Sequence, residues 1–188
     1  ISFIISEWTR KEFIKEIDNI DYMYIQELSQ TYGGCDSVDF SQEIENVQNT
    51  QSYHLTSGTT GIPKMVELSF HNFINSVDAW NKAIQFKNKD IYIQCLPLNH
   101  IAGMSILIRS QCLGFKMIIL DKFNAQSINE EIENGATLIS LLPSMLRRLI
   151  DLRRGKKFPV HFRGVILGGD SCSSALLMRC LKHNIPVF

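Results

Sequence analysis

Four hydroxyl-bearing residues, two glycines and a lysine fall within nine positions, Thr56-Ser57-Gly58-Thr59-Thr60-Gly61-Ile62-Pro63-Lys64, directly behind an apolar run. Glycines let a backbone turn its N–H groups toward one anion, hydroxyls add donors and possible metal contacts, and the lysine brings a mobile positive charge. The chemistry this composition serves is phosphate binding, with Thr56, Ser57, Gly58, Thr59, Thr60, Gly61 and Lys64 as the candidate ligands. An ordinary surface turn also uses Gly, Thr, Ser and Pro, but it needs far fewer specifications. The Walker loop does not fit, because its glycines stand further apart and Gly, not Pro63, would precede the lysine.

Two further stretches carry chemistry. Leu96-Pro97-Leu98-Asn99-His100-Ile101-Ala102-Gly103-Met104 places a single histidine beyond an apolar strand pattern. Taken alone, such a histidine is a hydrogen-bonded core or turn residue. Gly164-Val165-Ile166-Leu167-Gly168-Gly169-Asp170 is a strand followed by a glycine turn. Taken alone, that turn is a strand-to-helix connection, for which Gly and Asp are common.

In this order the three segments resemble the motifs of the adenylate-forming enzymes, the superfamily of acyl-CoA synthetases, luciferases and peptide-synthetase adenylation domains. The resemblance covers the chain from about residue 54 onward. It implies an α/β fold, part of a large N-terminal domain with a mainly parallel sheet flanked by helices. It implies ATP, Mg2+ and CoA, with a small-molecule carboxylic acid activated to an acyl-adenylate and passed to a thiol. Thr56, Lys64 and His100 are then the catalytic candidates, and Thr56 also faces the magnesium-bound phosphate. Gly168, Gly169 and Asp170 lie against the adenine, although Asp170 replaces the small residue common there. His100, Ala102 and Gly103 line the acyl pocket. A general-base role for His100 is disfavoured, since a carboxylate is already ionised at neutral pH.

The segment from Pro97 to Arg109, with Asp121 to Ala125 and Ser140 to Pro143, looks most like the o-succinylbenzoate:CoA ligases of menaquinone synthesis. Ala102 stands where those enzymes often carry Ser. Arg109 is either a fork for the second carboxylate of a diacid or a helix-surface cation. Ligation of a fatty or other aryl acid, loading of a carrier protein, and noncatalytic nucleotide binding are the competing functions. Family members are several hundred residues long, and their magnesium-binding Glu motif, ribose-binding Asp and catalytic Lys do not occur in these 188 residues. Residues 1–188 are therefore expected to be a fragment of the AMP-binding N-terminal domain without the C-terminal domain, and to show no turnover in isolation.

Nineteen Lys and Arg balance nineteen Asp and Glu, which argues against a nucleic-acid surface. The dense run Arg153-Arg154-Gly155-Lys156-Lys157 reads as a solvated loop. No apolar stretch reaches the roughly 18 residues of a membrane span. Five cysteines without metal-ligand spacing suggest free thiols in the cytoplasm, with Cys95 and Cys112 as small core residues.

The elements that must position these residues alternate between strand and helix. Strands are expected at residues 1–6, 53–55, 65–68, 91–96, 116–120, 137–141 and 164–167, with another starting at 186–188. Helices are expected at 9–20, 71–84 with Ser69 as its cap, 104–113, 127–134, 143–151 and 173–183, the last capped by Asn184. Residues 18–49 read as an irregular connection or a short helix.

Overall fold

The structure is a computed structural model that describes residues 3–4, 50–56 and 64–188. The expected helix at 9–20, the connection at 18–49 and the phosphate-loop residues 57–63 lie outside the described residues. The chain divides into two compact units, Ile1–Ala79 with Leu98–Ile101 and Trp80–Pro97 with Ala102–Phe188.

In the first unit, β1 (Phe3–Ile4) pairs in parallel with β2 (Thr50–Thr56), and β2 pairs antiparallel with β3 (Lys64–Ser69). The last pair of the hairpin is Thr56 with Lys64, reinforced by the Thr56 hydroxyl, which donates to the Lys64 carbonyl at 3.1 Å. The two ends of the phosphate-loop segment are thus fixed side by side. Helix α1 (Phe70–Ile84) follows at once. Ser69 caps it reciprocally: the Asn72 amide donates to the Ser69 hydroxyl at 3.3 Å, and the Ser69 amide donates to the Asn72 side chain at 2.9 Å. Phe73 and Val77, one turn apart, are the buried stripe of this part of α1.

The second unit is built on four parallel strands: β4 (Ile91–Gln94), β5 (Lys116–Ile119), β6 (Leu138–Leu141) and β7 (Gly164–Leu167), in the order β5-β4-β6-β7. Helices α2 (Ile101–Leu113), α3 (Ala125–Glu133), α4 (Pro143–Arg153) and α5 (Ser174–Lys182) alternate with them. Val187 makes an isolated parallel bridge to Val165, so the strand start expected at 186–188 begins to pair beyond β7. Consecutive strand residues point to opposite faces. Ile93, Ile139, Leu141 and Val165 pack with α3, α4 and α5, whereas Tyr92, Leu138 and Ile166 pack with Ile84 of α1 and Ile106 of α2. Nearly continuous apolar strands are what a sheet covered on both faces requires.

The N-terminal ends of the strands are tied together by one buried carboxylate. Asp90, 1% exposed, accepts from the Thr137 hydroxyl at 3.0 Å, from the Lys87 amide at 2.8 Å, and from the Arg163 guanidinium. Arg163 also donates to the carbonyls of Ile84 and Gln85 at 2.7 and 3.0 Å, capping the end of α1. Removing one partner of a buried pair leaves the other charge exposed to the low dielectric. Arg163→Ala in the complete protein is therefore expected to cost about 3 kcal/mol, read as a fall in the urea midpoint. An unchanged midpoint would mean that Asp90 is satisfied by its neutral donors alone.

Several boundaries differ from the sequence expectation. Beta pairing stops at Gln94, before Leu96, and at Ile119, before Leu120. Helix α2 starts at Ile101, three residues early, because Gly103 lies inside its first turn. Helix α3 starts at Ala125, with Asn124 accepting from the amides of Gln126 and Ser127. Helix α5 begins at Ser174, one residue later than expected, because the Ser173 side chain caps it by accepting from the Leu176 amide, and it stops before Asn184, whose φ of 52° is left-handed. Arg153 corrects the solvated-loop reading of its run. It is buried, bridges to Glu133 at 2.9 Å and lies 4.2 Å from the Phe158 ring centroid, because it continues the buried stripe Leu146, Leu149, Ile150. Cys95 is buried as expected, but Cys112 is exposed on the outer side of α2.

Candidate functional site

A strand order in which β4 connects to β5 on one side and neighbours β6 on the other makes a topological switch point. Ligands of open α/β sheets bind beyond the carboxyl ends of strands at such a crevice. A cavity of about 180 Å³ lies there, within the second unit. Its volume is on the scale of a void that holds a benzene ring, roughly 150 Å³. Its walls come from Leu96, two residues beyond β4, from Ala102, Ser105 and Arg109 of α2, from the end of β6 at Ser140 to Leu142, and from β7 and its turn through Gly168 and Gly169, with Trp80 of α1.

Arg109 is the charged group of this cavity. It is 4% exposed, so it is no helix-surface cation. Its Nε donates to the Ser105 carbonyl at 2.9 Å and its Nη2 contacts the Ser105 hydroxyl at 3.3 Å. Its Nη1 is buried without a hydrogen-bond partner among the described residues. Trp80 covers one face of the guanidinium, 5.1 Å from ring centroid to Cζ. Burial pushes the Arg109 pKa down, and the neighbouring Tyr92 only partly offsets this. Tyr92 stays neutral, its phenol raised to about 12 by burial, and its hydroxyl lies 2.6 Å from the Ser140 hydroxyl beneath the cavity. No carboxylate forms an ion pair with Arg109 among the described residues.

The glycine turn after β7 forms another wall. Gly169 has φ of 79°, a left-handed conformation that calls for glycine, whereas a Cβ there would meet only the mobile tip of the Leu142 side chain at 2.5 Å. A Cβ at Gly168 would meet open space, leaving its backbone accessible. Asp170 is exposed and outside the cavity walls, and its carboxylate accepts from the Ser171 amide at 2.7 Å. Gly103 is buried, where a Cβ would stand 2.3 Å from the Pro97 carbonyl oxygen, so its role is to let α2 approach the turn before it.

The cavity thus gathers Ala102, Arg109, Gly168 and Gly169 from the expected site residues. Thr56, Lys64 and His100, all exposed, belong to the first unit. Ser57, Gly58, Thr59, Thr60 and Gly61 lie outside the described residues. Sequence reasoning did not single out Trp80 as part of the site, because its spacing with Phe73, Val77 and Ile84 reads simply as helix core. It also missed His54 in the first unit. His54 is buried with its Nε2 3.0 Å from the Ser52 hydroxyl and its ring edge-on to Phe73 at 6.5 Å. Burial lowers its pKa, the Asn99 backbone opposes that shift, and the His100 charge adds to it. The Asn99 contact falls short of full hydrogen-bond geometry, since His54 Nδ1 is left without a partner of that kind.

Among the described residues no group of three His, Cys, Asp or Glu side chains could hold a metal, and no helix is long and apolar enough to cross a membrane. A second depression of about 450 Å³ is bordered by Lys122 and Arg148, both exposed.

The profile of the AMP-binding enzyme family matches residues 21–188, and the chain belongs to that family. Among its relatives, 2-succinylbenzoate--CoA ligase of Staphylococcus aureus (strain MSSA476) is 35% identical over 76% of this chain and 29% of its own length. The enzyme of the same name from Enterococcus faecalis is 28% identical over 91% of this chain and 35% of its own length. The chain therefore spans about a third of the length of the curated relatives it matches. The solved o-succinylbenzoate CoA synthetase (MenE) of Bacillus subtilis in complex with the acyl-adenylate intermediate OSB-AMP is 27% identical, with a TM-score of 0.75 over 99% of this chain and 37% of that chain. ATP-bound MatB from Rhodopseudomonas palustris, 21% identical with a TM-score of 0.76 over 99% of this chain and 39% of that chain, shares the fold. The mixed α/β class with its parallel sheet flanked by helices is as the sequence led us to expect.

Proposed function

We infer that the chain is part of the large N-terminal domain of an AMP-forming acid–thiol ligase that converts o-succinylbenzoate to o-succinylbenzoyl-CoA through an acyl-adenylate. The observation that carries this reading is the buried guanidinium of Arg109, without an ion-pair partner among the described residues, beside a cavity of aromatic size. A buried cation without a counter-ion is costly, and an anionic ligand group supplies the missing partner. The Ser105 contacts occupy Nε and one edge of Nη2, so a carboxylate meets the guanidinium end-on through Nη1. That anchors the carboxylate remote from the reacting one and explains a preference for a diacid. Its support from relatives is the printed activity of the curated proteins, 2-succinylbenzoate--CoA ligases.

The remaining roles follow the chemistry of each donor. The Gly168 and Gly169 backbone receives the adenine, with Asp170 holding the turn behind it. Thr56, Ser57, Gly58, Thr59, Thr60, Gly61 and Lys64 stabilise the charge that builds on the departing pyrophosphate. The Thr56 hydroxyl and the Lys64 ammonium stand at the neck of a hairpin, a donor set that fits ATP phosphates. Mg2+, when bound, neutralises phosphate charge, and Thr56 is the chain's nearest ligand candidate for it. His100, exposed after Pro97, orients the reacting carboxylate; Ala102 forms part of the pocket wall, and Gly103 supports it by letting α2 approach the turn before it. CoA then takes the acyl group as the thiol acceptor, in the cytoplasm.

The test uses the complete protein with ATP, Mg2+, CoA and o-succinylbenzoate. Pyrophosphate release together with thioester formation is the expected result, with fatty acids turned over far more slowly. Fatty acids preferred over the diacid would overturn the substrate; pyrophosphate release without a CoA thioester would overturn the acceptor.

A further inference from the structure

A guanidinium that must present one free edge needs more than its own helix to hold it. Both contacts that fix Arg109 within α2 come from Ser105, one turn away, and they leave the plane of the group free to tilt. The contact that restrains the tilt comes from another element. Trp80 of α1 lies against the guanidinium face at 5.1 Å, and its ring is itself a wall of the cavity. An indole is the aromatic face that attracts a cation most strongly, and it also excludes water from one side of the group. Excluding water strengthens the interaction of the remaining donors with an anion.

We propose that Trp80 is the positioning residue that makes Arg109 selective, holding the guanidinium plane so that Nη1 meets a substrate carboxylate end-on inside the cavity. This rests on the reading of Arg109 as the anchor of a second carboxylate. The indole does not touch the reacting carboxylate; it acts through Arg109. The substrate class favoured by the pair is a flat aromatic acid bearing a second carboxylate, since the same ring that orients the cation also confines the ligand.

The experiment compares Trp80→Leu, Trp80→Phe, Arg109→Met and the double variant Trp80→Leu/Arg109→Met in the complete protein, with o-succinylbenzoate and with benzoate. Trp80→Leu is expected to raise the KM for o-succinylbenzoate about tenfold, with kcat and the KM for ATP unchanged. Phenylalanine at position 80 recovers most of the loss, the KM for benzoate rises far less than that for o-succinylbenzoate, and the double variant discriminates between the two acids no worse than Arg109→Met. If Arg109→Met leaves the KM unchanged, the anchor reading itself fails. If Arg109→Met raises the KM but Trp80→Leu does not, or if the two effects multiply, the anchor stands and the positioning role of Trp80 is overturned. Should Trp80→Leu fail to fold, Trp80→Phe decides alone: a KM rise of about threefold that vanishes in the Arg109→Met background supports the role, and a rise that persists there overturns it.

Discussion

Arg109→Met in the complete protein is expected to raise the KM for o-succinylbenzoate roughly 30- to 100-fold while the KM for ATP stays where it was. A hydrogen bond to a charged group contributes about 1.5–3 kcal/mol, and the end-on carboxylate makes at least one of them in a site shielded from water. The same substitution is expected to raise the melting temperature of the ligand-free protein. Arg109 has no ion-pair partner among the described residues, its Nη1 is unsatisfied, and burial already disfavours its charged form. Replacing such a cation by an apolar chain of similar reach beside Ile106, Leu96 and Trp80 removes a desolvation penalty rather than an interaction. Binding and stability therefore move in opposite directions, which separates a ligand-binding arginine from a structural one. A variant that melts lower and binds the acid as tightly as the parent would sink the assignment.

Gly103→Ala should have a large effect on folding. The added Cβ would stand 2.3 Å from the Pro97 oxygen, 2.8 Å from its carbonyl carbon and 2.9 Å from the Leu96 oxygen. All three are backbone atoms, so no side-chain rotation relieves the clash. Either α2 moves outward or the turn after β4 does, and both carry cavity walls. Overpacking of this kind costs about 3 kcal/mol, which for a domain of this size lowers the melting temperature by roughly 6–12 °C. Circular dichroism melts of the complete protein check it. A melting temperature within a degree of the parent would show that the turn yields freely.

The sheet was legible because each buried strand is a short apolar run followed by a helix with one buried stripe. The ends of elements were less so. The helix was expected to start only after Gly103, and it is the tertiary approach of Pro97 that explains why glycine sits within the first turn of α2. Arg153 was misread from local charge, although its spacing from Leu146, Leu149 and Ile150 already placed it on the buried stripe of α4. For Arg109 the sequence left two roles open. Helix α2 is apolar on most sides, so periodicity gives no inward direction, and a lone charge among Ile106, Leu107 and Ile108 fits either face. Trp80 becomes a site residue only once residues far apart in sequence are brought together, which no local pattern encodes.

The Asp90 clamp and the cavity occupy opposite ends of the same strands. Asp90, Thr137 and Arg163 immediately precede β4, β6 and β7, while Leu96, Ser140 to Leu142, Gly168 and Gly169 mark where those strands finish. Exchange of residues at the finishing ends would reshape the cavity, while the starting ends preserve the framework. The two ends can therefore vary independently, one in what the cavity admits and the other in how firmly the sheet is held.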